Sequence, residues 1–385
     1  MTVKVTARGA ERWKQCHPWI YRSDVAEAPD KTPGIVSVTD RKGKFLGQAL
    51  YSPKSEIRLR LLTRGNETID AEWWTARIRD AAGRRKGIQA SAWRVVHAEG
   101  DGLPSLIVDK YSSFVVAQLL SAGLESAREQ VVEGIKTALA PDGILLRNDA
   151  GIRRHEGLAE EVVSVFGDVP KTVEVVEDGV RYLAAPWTGQ KTGAFLDQRE
   201  NRLMIGQHTK AGGRALDLFT YHGSFALHLA RHAKGVLAVD QSTEALARGA
   251  ENARLNGIAN IEWREANTFD LLREMEQRRE RFDTIVLDPP AFAKTKANLE
   301  RAVAGYKEVN LRAMRILAPG GVLFTSSCSY HVSRDIFNAM LADAARDSGR
   351  RIQFLAATGA SADHPELLNV PETGYLKGVL LSAPA

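Results

Sequence analysis

The segment Ala215-Leu-Asp-Leu-Phe-Thr-Tyr-His-Gly-Ser224 indicates the architecture of the C-terminal half of this chain. An apolar strand ends in a carboxylate and is followed by a turn containing one glycine and then by a helix. Further strands are expected at Val236-Leu-Ala-Val-Asp240, Thr284-Ile-Val-Leu-Asp288 and Gly321-Val-Leu-Phe-Thr-Ser326, with helices near 224–233, 243–256 and 300–317. This alternation predicts an α/β fold with a Rossmann-like, doubly wound sheet that binds ligands at the carboxyl ends of its strands.

Two smaller units are expected before this sheet. Residues 1–70 contain short alternating strands at 34–39, 45–51 and 57–62 with turns between them, which predicts a small β-barrel. Residues 71–185 start with an arginine-rich helix near 71–87 and continue with strands and a second helix near 125–139, which predicts an α+β middle domain. We therefore expect three domains, at 1–70, 71–185 and 186–385.

Composition excludes several classes of protein. No stretch approaches the roughly 20 apolar residues of a membrane helix, and residues 1–8 lack the apolar core of a signal peptide. The two cysteines, Cys16 and Cys328, provide no disulfide framework, and no metal site is predicted. We expect a cytoplasmic protein without a membrane partner.

The positive charge is concentrated near the N-terminus. Residues 1–70 carry 13 Lys and Arg against 8 Asp and Glu, a surplus equal to the net charge of +5 of the whole chain. A basic domain suits a polyanion such as RNA, because neutralising phosphates provides affinity for any sequence. A solvated basic surface explains the charge equally well at this point.

The turn after the first strand of the sheet indicates the type of ligand. Between Asp217 and Gly223 it has one glycine, whereas the dinucleotide pattern G-x-G-x-x-G has three, so an NAD-linked enzyme is disfavoured. Asp240 closes the next strand, where a carboxylate accepts hydrogen bonds from ribose hydroxyls. An Asp at a strand end is also a common turn residue. The combination with Asp217 and Gly223 favours a nucleoside ligand that carries an amino acid.

These motifs resemble those of class I S-adenosylmethionine methyltransferases. The segment Thr188-Gly-Gln-Lys-Thr-Gly-Ala-Phe-Leu-Asp-Gln-Arg-Glu-Asn-Arg202 is more specific and resembles a family of large-subunit ribosomal RNA cytosine-5 methyltransferases, the RlmI type. Similarity extends to His17-Pro-Trp-Ile-Tyr21, Glu99-Gly-Asp-Gly-Leu-Pro104 and Gly374-Tyr-Leu-Lys-Gly378. The resemblance implies a PUA-like RNA-binding domain, an α+β linker domain and a catalytic domain that uses S-adenosyl-L-methionine.

The resemblance also implies roles for individual residues. Asp217, Phe219 and Gly223, with Ser224 beside them, would line the methionine side of the cofactor. Asp240 would hold the ribose, and Asn267 would lie near the adenine, where many methyltransferases have Asp. The residues that would close over the cofactor or complete its site are Gln190, Lys191, Asp197, Gln198, Arg199, Asp288 and Pro289.

Cys328 is the candidate nucleophile. Carbon 5 of a pyrimidine is too electron-poor to attack a methyl sulfonium, and a thiolate that adds to carbon 6 removes this difficulty. Cys328 follows one strand and Asp288 follows another, so a thiol and an acid that can hydrogen-bond the ring nitrogen are expected at one edge of the sheet. A buried, inert Cys is the alternative. Ala291 occupies the place where other branches carry a second Cys, so another base or water must assist product release.

Two other functions stay open. Asp288-Pro289-Pro290 resembles the motif of amino-methyltransferases, although Ala291 separates it from Phe292, so a base-amine methyltransferase is the second hypothesis. An RNA-binding ribosome assembly factor with a vestigial cofactor site is the third. Tyr306 either stacks on a base or belongs to the core, and Lys294 and Lys296 either contact a phosphate or lie in a solvated loop. The sequence does not distinguish a monomer from a homodimer.

Overall fold

The structure is a computed structural model, and it describes residues 1–28, 31–293 and 296–384, without the side chain of Lys296. The chain divides into two compact units. The first contains residues 1–175, 184–196 and 362–373, and the second contains residues 176–183, 197–361 and 374–385. The division into three domains at 70/71 and 185/186 stays a prediction.

The N-terminal part of the first unit is a small β-domain. Its elements are β1 (Thr2–Val5), α1 (Ala7–Lys14), β2 (Trp19–Tyr21), β3 (Val25–Glu27), β4 (Gly34–Thr39), β5 (Phe45–Tyr51) and β6 (Ile57–Thr63). The described strands form one sheet in the order β2-β6-β5-β4-β1-β3. Val36 and Val38 of β4 are buried against Trp13, because alternate side chains of a strand point to the same face.

The rest of the first unit is an α+β arrangement. Its elements are α2 (Ala71–Gly83), β7 (Ala92–His97), β8 (Leu106–Tyr111), β9 (Phe114–Leu119), α3 (Ala122–Glu125), α4 (Arg128–Leu139), β10 (Gly143–Asn148), α5 (Ile152–Glu156) and β11 (Glu161–Phe166). The described strands pair in the order β11-β10-β9-β8-β7. Asp70 caps α2 by accepting a hydrogen bond from Trp73 N at 3.0 Å. Gly134 lets α4 approach α2, since a Cβ there would lie 2.7 Å from Trp74 Cβ.

The second unit contains the predicted α/β sheet. A hairpin precedes it, β12 (Val173–Glu177) and β13 (Val180–Ala184), whose residues 176–183 belong to this unit. The elements that follow are α6 (Arg199–His208), β14 (Arg214–Leu218), α7 (Ser224–Ala230), β15 (Gly235–Asp240), α8 (Thr243–Leu255), β16 (Ile261–Glu265), α9 (Thr268–Gln277), β17 (Phe282–Leu287), α10 (Leu299–Ile316), β18 (Leu317–Ser327), α11 (Arg334–Ser348), β19 (Gln353–Thr358) and β20 (Lys377–Ser382). Short 3-10 turns occur at Arg22–Asp24, Ala98–Asp101, Leu196–Gln198, Lys296–Asn298 and Pro371–Thr373.

The described strands of this sheet have the order β16-β15-β14-β17-β18-β20-β19. Neighbours from β16 to β18 are parallel, whereas β20 runs antiparallel to both β18 and β19. The doubly wound fold expected from the sequence is therefore confirmed, and α10 packs on β17 and β18 as an apolar helix face should. No helix within the described residues has the length and apolarity needed to cross a membrane.

A buried ion pair attaches the β12–β13 hairpin to α6. Arg202 donates from Nε and Nη2 to the two oxygens of Glu177, at 2.7 and 2.5 Å, and both side chains are almost fully buried. His228 Nε2 lies 3.2 Å from Glu177 Oε1, and Tyr182 Oη donates to Glu177 Oε2 at 3.3 Å. Burial alone would raise the pKa of Glu177, but the charge and hydrogen bonds of Arg202 outweigh burial and lower it strongly.

Replacing Glu177 by Gln should reduce the free energy of unfolding by about 3 kcal/mol at pH 7, because the Arg202 guanidinium would be buried without a counter-charge. The lowered pKa means that the carboxylate stabilises the fold fully above its ordinary value of 4.5 and progressively less as the pH falls below it. The difference between wild type and E177Q should therefore shrink from pH 7 to pH 3 in urea unfolding.

The adjacent Asp178 provides a matched control. Its exposed pair with Arg231, at 3.0 Å, should contribute less than about 1 kcal/mol, so Asp178→Asn should be nearly neutral. Equal losses of stability in the two variants would contradict the role of burial.

Candidate active site at the carboxyl edge of the sheet

The turn after β14 has an unusual backbone. Phe219, Tyr221 and Gly223 have φ values of +64°, +51° and +82°, in the left-handed region that side chains disfavour. Thr220 N donates to the carbonyl of Val239 at 2.9 Å, which holds the turn against β15. A Cβ at position 223 would lie 2.4 Å from the Trp263 ring. Glycine is therefore required there by conformation and by space, where the sequence predicts a close backbone approach.

Asp217 is fully buried at the end of β14. Its Oδ2 accepts hydrogen bonds from Thr220 Oγ1 and from Ala226 N, the latter at 2.9 Å. Its Oδ1 has no hydrogen-bond partner among the described residues. Burial raises the pKa of Asp217 to about 7; the charges of Asp288 and Asp240 act in the same direction, and the two hydrogen bonds oppose them. Asp217 Oδ1 is therefore a buried acceptor close to two other carboxyl groups, and such an acceptor is suited to the ammonium group of a ligand.

Asp240 ends β15 and is half-buried. Its two oxygens accept hydrogen bonds from Tyr221 N at 2.8 Å and Ser242 N at 2.9 Å. It therefore holds two turns, which is the role of a turn residue that the sequence leaves open as the alternative to ribose binding. Because β14 and β15 are parallel, Asp217 and Asp240 lie at the same edge of the sheet, and the Coulomb interaction between them agrees with that placement.

Asn267 caps α9. Its Oδ1 accepts hydrogen bonds from Phe269 N at 3.0 Å and Asp270 N at 3.3 Å, as an N-cap residue does. The cap accounts for Asn at this position without a ligand. Its place near the adenine stays a prediction, and a cofactor contact would have to share this side chain with the helix start.

Asp288 links three elements at the edge of the sheet. It follows β17, and its Oδ1 accepts hydrogen bonds from Gln198 Nε2 at 2.8 Å and from Ser326 Oγ of β18. Gln198 lies at the start of α6, and its Oε1 accepts a hydrogen bond from Asn201 at 2.5 Å. The sequence assigned no role to Ser326, although its place at the end of the strand beside β17 was the available signal. Pro289 follows Asp288 directly, and the residue before a proline favours extended rather than helical backbone.

Cys328 is the first residue after β18, and it is half-buried. Its neighbour Ser329 is fixed from two sides, because Ser329 Oγ lies 2.9 Å from Tyr306 Oη and accepts a hydrogen bond from Ala293 N at 3.2 Å. Since β17 and β18 are parallel neighbours, Cys328 and Asp288 lie at the same edge. The partial exposure of Cys328 argues against the alternative in which it is an inert Cys buried in the core.

Tyr306 belongs to the core. Its ring is fully buried and packs against Phe292 with a centroid distance of 4.6 Å. The alternative in which Tyr306 stacks on a base is wrong for this structure. Lys294 and the side chain of Lys296 lie outside the described residues. The phosphate contact suggested for these two lysines therefore stays a prediction.

The remaining predicted residues differ in their surroundings. Asp197 is buried and accepts a hydrogen bond from Tyr375 Oη at 2.7 Å, and its carbonyl accepts one from Ser361 N at 2.8 Å. Arg199, also buried, donates to Glu200 at 2.8 Å. These residues, Gln198 and the buried Ser224 belong to the second unit, whereas Gln190 and Lys191 are exposed residues of the first. Closure of Gln190 and Lys191 over a cofactor stays a prediction.

Comparison with known proteins identifies the class and then the family. Residues 146–381 match the model of an S-adenosylmethionine-dependent methyltransferase family, and residues 3–64 match a PUA-like domain. The protein is therefore an S-adenosylmethionine-dependent methyltransferase with an N-terminal PUA-like domain. Within this class, the chain belongs to the family of ribosomal RNA large subunit methyltransferase I.

Relatives with that name support the narrower assignment. Those from Tolumonas auensis and Aeromonas salmonicida are each 39% identical to this chain, over 383 and 380 residues, and the alignments cover 95% of both chains. The relative from Klebsiella pneumoniae is 37% identical over 388 residues, covering 97% of this chain and 96% of the relative.

Solved structures confirm the fold. A protein described as a SAM-dependent methyltransferase from Streptococcus mutans covers 99% of both chains with a TM-score of 0.83 and 18% identity. A methyltransferase complexed with SAH covers 99% of both chains with a TM-score of 0.84 and 19% identity.

The residues present fit S-adenosylmethionine. Asp217 offers a buried oxygen that accepts no hydrogen bond from a described residue, and Asp240 offers a half-buried carboxylate at the end of the neighbouring strand. The cofactor carries an ammonium group, a sulfonium and ribose hydroxyls, so the neighbouring carboxyl groups of Asp217, Asp240 and Asp288 complement its charge and its hydrogen-bond donors.

The raised pKa of Asp217 predicts a pH-dependent stability. Stability from the neutral carboxyl is fully present below the ordinary value of 3.8 and is lost as the pH rises through about 7. Asp217→Asn cannot ionise and retains an acceptor for Thr220 and Ala226. Between pH 4 and pH 8 the free energy of unfolding of the cofactor-free variant should gain on that of the wild type, by up to roughly 4 kcal/mol. Urea unfolding across this range measures the gain, and parallel profiles would contradict the assignment.

Proposed function

We propose that this protein methylates carbon 5 of a cytosine in large-subunit ribosomal RNA, with Cys328 as the nucleophile. The observation that carries the proposal is that Cys328 and Asp288 follow two adjacent parallel strands, at the edge of the sheet that also carries Asp217. The name shared by the relatives supports a ribosomal RNA substrate. The proposal includes a cytoplasmic location, where Cys16 and Cys328 stay reduced.

The cofactor would be held by the turn after β14 and by the neighbouring strand ends. Asp217 would accept a hydrogen bond from its ammonium group through the buried Oδ1, with Phe219, Gly223 and Ser224 beside it. Asp240 would hold the ribose hydroxyls. Other residues proposed for the same site are Gln190, Lys191, Asp197, Gln198, Arg199, Asn267, Asp288 and Pro289.

The chemistry follows from the reactivity of cytosine. The bound cofactor supplies an electrophilic methyl group on its sulfonium. The thiolate of Cys328 adds to carbon 6 while Asp288, as a carboxylic acid, hydrogen-bonds ring nitrogen 3 and stabilises the charge that develops there. Carbon 5 would then bond to the methyl carbon as the bond between that carbon and the sulfonium sulfur breaks, so that the neutral thioether S-adenosylhomocysteine is the leaving group. Loss of the carbon 5 proton to water and cleavage of the bond between carbon 6 and sulfur restore the aromatic ring and the thiolate. The base must be unpaired or flipped out of a helix for both carbons to be reached.

Cys328→Ala should reduce methylation of RNA by about 1,000-fold or more, because no nucleophile activates carbon 5. Calorimetric binding of S-adenosylmethionine should be nearly unchanged. Cys16→Ala is the matched control, since Cys16 is exposed in the N-terminal β-domain, and it should keep wild-type activity. RNA that contains 5-fluorocytosine should form a covalent adduct with wild type and none with C328A. Wild-type activity in C328A would exclude this mechanism.

The same experiments separate the alternatives. A base-amine methyltransferase that uses Asp288-Pro289-Pro290 would leave C328A active, form no adduct and place the methyl group on an exocyclic nitrogen, which mass spectrometry of the nucleosides distinguishes from carbon 5. An assembly factor with a vestigial site would show no calorimetric binding of S-adenosylmethionine.

The PUA-like domain offers a basic surface for the RNA. A cavity of about 810 Å³ is lined there by Arg22, Val25, Ala28, Lys31, Tyr51, Pro53, Lys54 and Arg58. Four of these eight residues are cationic, so the cavity is suited to phosphate groups, which are the source of affinity that does not depend on sequence.

Removing two of these charges, with Lys54→Ala and Arg58→Ala together, should weaken RNA binding and lower the slope of log affinity against log salt by about 2, since each neutralised phosphate contributes close to one unit. Fluorescence anisotropy at several salt concentrations measures the slope. Arg79→Ala with Lys86→Ala, which removes two exposed charges in and after α2, is the matched control. Equal changes in the two double variants would show that net charge, rather than this cavity, determines binding.

A further inference from the structure

Lys377 is a buried lysine beside the candidate nucleophile. It is the first residue of β20 and pairs in register with Ser327, the last residue of β18, because these two strands are antiparallel. The residue after Ser327 is Cys328. Only 3% of the surface of Lys377 is exposed, although lysine is rarely buried without a reason.

The Lys377 ammonium group holds the backbone on both sides of this register. Its Nζ donates to the carbonyl of Ser329 and to the carbonyl of Tyr375, each at 2.7 Å. The Ser329 side chain is held separately, by Tyr306 Oη and Ala293 N. Cys328 therefore lies between two residues whose positions depend on β20, Ser327 through strand pairing and Ser329 through the ammonium group.

We propose that Lys377 is a positioning residue for the Cys328 nucleophile, and that its buried positive charge stabilises the thiolate. Burying an ammonium group is unfavourable and is accepted where it is well hydrogen-bonded, as here by two carbonyls. A fixed cation near a thiol favours the ionised form, which is the form that attacks. This inference rests on the proposed function, in which Cys328 must be a thiolate to add to carbon 6.

Other titratable groups lie near Cys328 in the chain or on the neighbouring elements. Tyr306 on α10 interacts with it electrostatically and stays neutral, because burial raises the pKa of its phenol. Asp288 after β17 lies at the same edge, and its ionised form, which is present before it takes up the proton used in the proposed reaction, has a charge of the opposite sign to Lys377. Tyr330 and His331 follow in the chain. Lys377 hydrogen-bonds the backbone next to the thiol, so its removal should disfavour the thiolate, whereas removal of the Asp288 charge should favour it.

The test measures the ionisation of the thiol directly. In a Cys16→Ser background, the rate of alkylation of Cys328 by iodoacetamide is followed from pH 5 to pH 10. Lys377→Met should raise the midpoint of this profile by about 1 pH unit and slow alkylation at pH 7 about tenfold. Lys377→Arg should stay near wild type, since it keeps the charge. Lys210→Met removes an exposed lysine of the same unit and should leave the profile unchanged.

Folding and chemistry are separated by two further measurements. Thermal unfolding and calorimetric binding of S-adenosylmethionine report whether each variant is folded; if K377M is not, Lys377→Gln retains a donor for the carbonyls without the charge and should give the same shift. An unchanged midpoint in a folded K377M or K377Q variant would overturn the inference. Full activity of C328A would instead overturn the proposed function, and the alkylation profile would still test the effect of Lys377 on the thiol.

Discussion

The parallel pairing of β14, β17 and β18 is the constraint on which the rest of the site depends. Parallel strands end at the same edge of a sheet, so Asp217 near the end of β14, Asp288 after β17 and Cys328 after β18 are placed at one edge. The hydrogen bonds of Asp288 to Ser326 and Gln198 then lock two strand ends to the start of α6. The register of β14, β17 and β18, more than any single side chain, determines which candidate residues lie at this edge.

The electrostatics of this edge are arranged for a cation. Asp217, Asp240 and Asp288 lie close enough for their charges to interact, and burial makes the ionised form of Asp217 unfavourable when no ligand compensates it. A sulfonium nucleoside with an ammonium group reduces this repulsion when it binds. The relief of unfavourable charge in the cofactor-free fold therefore contributes to the affinity for the cofactor. The buried pair of Glu177 and Arg202 serves a different purpose, because each compensates the other and no ligand is needed.

Local patterns in the sequence were sufficient for much of the fold and for part of the site. Strands at β14, β15 and β17 and the glycine at 223 follow from apolar runs, turn residues and spacing, which are local properties. The antiparallel strand β20 was not anticipated, because its pairing with β18 bridges about fifty residues. The sequence indicates no role for Lys377, although it lies in the segment Gly374-Tyr-Leu-Lys-Gly378, because its register with Ser327 beside Cys328 exists only after that pairing. Asn267 illustrates the opposite difficulty, as a helix cap and a ligand contact use the same kind of residue.

The position of β20 in the chain also affects how the enzyme matures. During synthesis β14, β17 and β18 emerge before β20, and a parallel sheet of these strands can begin to form while the segment that pairs with Ser327 has yet to appear. Closing that long loop is a slow, non-local step. A nascent chain at this stage lacks both the strand pairing of Ser327 and the hydrogen bond from Lys377 to the Ser329 carbonyl. The effect that we propose for Lys377 on the Cys328 thiol would therefore begin only when the sheet is complete.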